Sequence, residues 1–155
     1  MPRAAGRSGA TRSRRSARRL ALDVLYEAEI RAWLPLEAYE ARRAEGWVDD
    51  HAGGEEPAPE ALEYARTLIE GVQRHQADLD ALIARYADHW ALQRMPVIDR
   101  NLLRISLVEL LWGDDVPIAV SINEAVELAK SMSTDDSGRF INGLLGRIVE
   151  DRNLR

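Results

Sequence analysis

PVIDRNLLRISLVELLW, residues 96–112, decides the fold. Ile98, Leu102, Leu103, Ile105, Leu107, Val108, Leu110 and Leu111 cover more than half of a helical circumference, the pattern of a central helix buried on most sides. Pro96 opens it, and Gly113 with the following DDVP turn stops it. C-terminal to it, Ser121 and Glu124 form the sequence of a capping box, which predicts a helix starting at Ser121. Its apolar stripe is Ile122, Ala125, Val126, Ala129 and Met132. A last helix follows from about 134 to 152, carrying Phe140, Ile141, Leu144, Leu145 and Ile148.

Working N-terminally, two helices are expected at about 78–90 and 60–75. The first uses Leu79, Leu82, Ile83 and Tyr86; the second uses Leu62, Ala65, Leu68, Ile69 and Val72. HAGGEEPAP, residues 51–59, reads as a loop. Pro35 opens a short helix to about Glu45. A helix at about 14–31 turns Leu20, Val24 and Ala28 inward, with Leu25 beside them. MPRAAGRSGATRS, residues 1–13, has no hydrophobic period and is expected to be disordered when free. No stretch alternates convincingly at period two, so the fold class is all-α with about seven helices.

The 155 residues carry a net charge of −5, unevenly spread. Residues 1–19 hold seven arginines and no acid, so a +7 segment is attached to a −12 body. With no cysteine, disulfides, thiolate metal sites and cysteine nucleophiles are excluded, which fits a reducing cytoplasm. No apolar run is long enough to span a membrane. His51, His75 and His89 have no metal-binding spacing and are expected at surfaces or helix ends. There is no phosphate-binding glycine loop and no nucleophile–base constellation, so no catalytic residue, cofactor or metal is assigned. GLLG, residues 143–146, is read as a close helix contact, and Asp135 and Asp136 as acids favoured at a helix start.

Positive chemistry lies on the first helix. At 100° per residue Arg15, Arg19 and Tyr26 share a strip within about 40°, with Arg14 and Arg18 beside it and outside the apolar stripe. Guanidinium groups neutralise phosphates and tyrosine stacks on unpaired bases, so the strip suits single-stranded nucleic acid. It equally suits a solvated charged face with a half-buried tyrosine. Phe140, the only phenylalanine, reads as a core anchor, and it follows a polar segment at a helix start whose amides can receive a phosphate.

The pieces DRNLLRISLVELL and VPIAVSINEAVELAKSMSTDDSGRFINGLLGRI resemble the signature region of the NusB family. ALDVLYEAE, residues 21–29, behind the arginine cluster, is similar to that family's first helix. The similarity covers residues 12–150 and is most specific in the second half; residues 34–59 are not diagnostic. This chain departs in its longer Arg/Gly/Ser arm and in the isoleucine of FING. The resemblance implies two perpendicular helical bundles, placed here at 14–76 and 77–155 behind a basic arm at 1–13. It implies binding of boxA single-stranded RNA together with the ribosomal protein NusE, in transcription elongation complexes reading through ribosomal RNA operons. RNA contacts carry over to Arg12, Arg14, Arg15, Arg18, Arg19, Tyr26, Asp136 and Phe140, and a NusE contact to Asp99. Monomer and homodimer stay open.

Three other readings compete. The NusB-like domain of a ribosomal RNA cytosine methyltransferase needs a following cofactor domain of about 200 residues, which a chain ending at Arg155 leads us not to expect. A DNA-binding regulator needs a recognition helix, and Arg139, Asn142, Arg147 and Arg152 are spread around the last helix. A helical protein-interaction adaptor would show no salt-dependent RNA binding.

Overall fold

The computed structural model describes residues 2–46, 57–88, 90–113 and 115–154, with side chains from Ser13 onward. Its elements are α1 Pro2–Arg31, α2 Pro35–Glu45, α3 Pro59–Tyr86, a 3₁₀ turn Leu92–Arg94, α4 Val97–Trp112, α5 Ile118–Met132 and α6 Asp135–Asp151. No strand occurs among the described residues. The all-α class expected from periodicity holds. The described residues form six α-helices rather than seven, because 60–75 and most of 78–90 form one helix, α3. Gln76, Ala77 and Asp78 contain no proline or glycine to break it.

The chain divides into two units, residues 1–73 and 74–155, and the division falls within α3. In the first unit α1 packs Ala17, Leu20, Ala21, Leu22, Val24, Leu25 and Ala28 inward. It reaches back to Pro2, so the backbone expected to lack regular structure is helical. Pro2 is compatible with a first helical turn, and alanine and arginine favour propagation. Ala32 ends α1 in the left-handed region at φ 56°, with Trp33 N–H donating to the Ala28 carbonyl at 2.9 Å. In α2, Pro35 supplies the first-turn φ, and Tyr39 is buried with its hydroxyl donating to the Leu62 carbonyl at 3.2 Å.

In the second unit α4 is buried on most sides, as its composition predicts; Leu103 and Leu107 are fully enclosed, each worth roughly 1.5–3 kcal/mol. It ends at Gly113, which leaves the helix in an extended conformation, and only glycine fits there because a Cβ would collide with the Glu109 carbonyl oxygen. The expected capping box at Ser121 does not form. α5 starts three residues earlier behind Pro117, whose ring presets the entry angle. Ser121 is buried inside the helix instead, donating to Glu109 Oε1 at 2.8 Å and lying 2.9 Å from the Ser106 hydroxyl. A buried Glu109 needs such donors more than the helix needs a second cap. The GLLG contact is also corrected. A Cβ at Gly143 or Gly146 would meet nothing within 4 Å among the described residues. The glycine that close packing needs is Gly138, where a Cβ would stand 3.3 Å from Lys130 Cγ on α5.

Candidate nucleic-acid interface

Two surfaces carry the predicted RNA residues, one in each unit. On α1, Arg15 is exposed, Arg19 is half-buried and Tyr26 is 44% exposed. The strip read from helical spacing is therefore present. Arg14 is engaged within the unit, its guanidinium 4.7 Å from the Tyr64 ring centroid, a cation–π distance. Arg18 departs from expectation: it is only 3% exposed and belongs to the packed face. At 100° per residue it falls between Leu22 and Leu25, and both are buried. The Arg12 side chain lies outside the described ones. Glu27, the acid beside Tyr26, is held by Arg42 at 3.0 Å and by Arg31 at 4.0 Å, which weakens its repulsion of an approaching phosphate.

The second surface is the start of α6. Thr134 caps it, its Oγ1 accepting from the Ser137 N–H at 3.0 Å. Asp136 is therefore an exposed first-turn acid, not the cap, and it pairs with Arg139 one turn on. Phe140 is half-buried, with its ring edge-on to Trp90 at 4.7 Å between centroids and 71° between planes. It is neither a pure core anchor nor a free stacking platform. Sequence reasoning missed Trp90, which it placed at a helix end. The residue stands in the loop after α3, its N–H donating to the Ala87 carbonyl, and stays 36% exposed. Two adjacent aromatics, one of them open to solvent, make a larger stacking surface than Phe140 alone.

Asp99 is fully buried on α4, and its Oδ2 accepts a hydrogen bond from the Ser137 hydroxyl at 2.7 Å. With no accessible surface, its carboxylate cannot touch a partner in this conformation. What it does here is fix the first turn of α6 from below. Among the described residues no group of three or more His, Cys, Asp or Glu side chains is placed to hold a metal. No described helix is long and apolar enough to cross a membrane. His75 stands within α3, half-buried; His51 and His89 lie outside the described residues.

The NusB family model matches residues 15–150. The chain belongs to the NusB family. Transcription antitermination protein NusB of Salinispora arenicola (strain CNS-205) is 53% identical over 138 residues, covering 89% of this chain and 96% of that protein. The fold is similar to that of T. maritima NusB, with a TM-score of 0.76, 36% identity, and 89% and 91% of the two chains covered. It is also similar to a chain in a crystal structure of antitermination factors NusB and NusE in complex with dsRNA. There the TM-score is 0.75 at 27% identity, with 90% and 98% covered. Within this family the arginine strip, Tyr26 and the start of α6 are the positions to test for RNA.

Asp136 gives the sharpest electrostatic test. Asp136→Asn removes one negative charge and releases Arg139, while the Thr134 cap is untouched. RNA binding is expected to tighten several-fold at low salt and less at high salt, since like-charge terms near a surface reach about 1 kcal/mol or more. Both Asp136→Asn and Asp136→Ala remove the first-turn charge, so each is expected to cost about 0.3–1 kcal/mol of helix-dipole stabilisation. Weaker binding of Asp136→Asn would instead make this carboxylate a direct acceptor for a base or ribose.

Proposed function

We propose that this NusB-family protein is a transcription antitermination factor, without catalytic activity, that binds boxA-type single-stranded RNA together with NusE. In this role it joins the transcription elongation complex in the cytoplasm and supports read-through of ribosomal RNA operons. The observation that carries the reading is the exposed Arg15–Tyr26 strip on a helix whose other side is packed, in a family whose named relatives are antitermination proteins. The likeness to a NusB chain crystallised with NusE and dsRNA supports NusE and RNA as partners. Exposed tyrosine and tryptophan favour single strands, because paired bases offer no free face for stacking.

The test is a titration of labelled boxA RNA at several salt concentrations, with and without NusE, and with a duplex of the same sequence as competitor. Binding that NusE tightens, that salt weakens and that the duplex competes for poorly is expected. Binding that is absent, or independent of salt, would leave a protein-interaction adaptor as the better reading. Sedimentation at the same concentrations decides between monomer and homodimer.

A further inference from the structure

Trp112 is the last residue of α4, and it is 44% exposed. One face of its indole is covered by the His75 imidazole, nearly parallel at 7° with centroids 3.7 Å apart. The indole also lines a groove of about 370 Å³ together with Asp78, Ala81, Leu82, Arg85, Leu111 and Arg152. His75 backs one face of the ring but is not among the residues that line the groove, and the indole keeps 44% of its surface exposed.

The charges there suit an anion. Arg85 and Arg152 are exposed, and neither is in an ion pair among the described residues. Burial first, and then the nearby Asp151 carboxylate beside Arg152, raise the Tyr86 phenol above its ordinary value of 10.0. Asp78 is the single acid of the lining. The helix end fixes Arg152: Asn153 turns left-handed at φ 53°, and the Leu154 N–H closes onto the Val149 carbonyl at 3.0 Å. Two guanidinium groups beside an apolar floor and a backed aromatic plane, on a chain whose body is acidic, form a local positive site.

We infer that this groove is a second nucleic-acid subsite, in which one base of a single strand stacks on Trp112 and its phosphate lies between Arg85 and Arg152. Stacking on an aromatic plane tolerates any base, and the guanidinium pair tracks the backbone, so the subsite is not sequence-specific. Its ligand class is that of the proposed function. It shares no residue with the α1 strip or the start of α6, so the two can be tested apart.

The full-length protein labelled with 5-fluorotryptophan provides the test. Its tryptophan resonances are assigned by single Trp→Phe variants, and the probe is octa-adenylate RNA. Trp112 is expected to shift saturably. Arg85→Ala/Arg152→Ala should raise the RNA concentration for half-maximal shift at least about ten-fold, through two lost phosphate contacts. The Trp90 shift, which reports the α6 surface, should stay as in the parent. A Trp90 shift with a silent Trp112 would overturn the subsite and leave the main interface standing. Silence at both would overturn both. A Trp112 shift produced as strongly by hexaglutamate would also overturn it, making the groove a carboxylate site for an acidic protein segment.

Discussion

Asp80→Ala is expected to destabilise the protein by about 3–5 kcal/mol, the usual cost of leaving a buried charge without its partner. Arg104 is 5% exposed, and its guanidinium meets Asp80 through two bonds, Nε to Oδ1 at 2.7 Å and Nη2 to Oδ2 at 3.0 Å. A third bond runs from Nη1 to Asn101 Oδ1 at 2.9 Å. This planar, forked arrangement joins α3 to α4 within the second unit. Without the carboxylate, the cation stays inside and loses the counter-charge held against its fork. Urea unfolding followed by far-ultraviolet circular dichroism measures the loss. Asp80→Ala/Arg104→Met should recover most of it, because an apolar side chain of similar length needs no partner. A single variant within about 1 kcal/mol of the parent would mean the pair behaves as a solvated surface bridge.

Tyr26→Ala is expected to lower RNA affinity by about 1–3 kcal/mol, roughly five- to 150-fold, through loss of one stacked base. Arg15→Ala is expected to lower affinity less but to flatten the dependence on salt, by about 0.7 in the logarithmic slope. Both residues are exposed, so unfolding curves should superimpose on the parent's. Arg18 does not belong in this set. It is 3% exposed, and Arg18→Ala removes a packed side chain as well as a charge, so stability and binding would fall together. An unaltered salt slope for Arg15→Ala would show that the strip is not in contact with phosphate.

The helical class was legible because α4 and α6 carry their apolar residues at unbroken helical spacing. Leu102, Leu103, Ile105, Leu107, Val108, Ile141, Leu144, Leu145 and Ile148 are all buried. What periodicity could not give was the use of polar residues inside that core. Ser121 reads as a cap until Pro117 is seen to start α5 and Glu109 to need a donor. Asp99 carries a partner contact by resemblance, and its burial shows only once Ser137 is found against it. Both partners are remote in sequence, and no local pattern encodes a contact across 12 or 38 residues. Arg18 misled for a related reason: a charged residue was excluded from the apolar stripe by its type, although Leu22 and Leu25 flank it on the same face. Trp90 had no periodic context at all, and its value emerges only from its contact with Phe140.

Gly138 has one more consequence, and it concerns reagents. Its missing side chain lets the stem of Lys130 lie over α6, while the ammonium turns out toward Glu127 at 3.7 Å. Lys130 is the only lysine in the sequence. Amine-directed dyes, biotin esters and activated sensor chips therefore have one side-chain address, at the seam where α6 begins a few residues before Phe140. A protein captured through that amine would present its α6 surface to the support rather than to the ligand. Labels carried elsewhere, on an introduced cysteine in a chain that has none, leave that surface open.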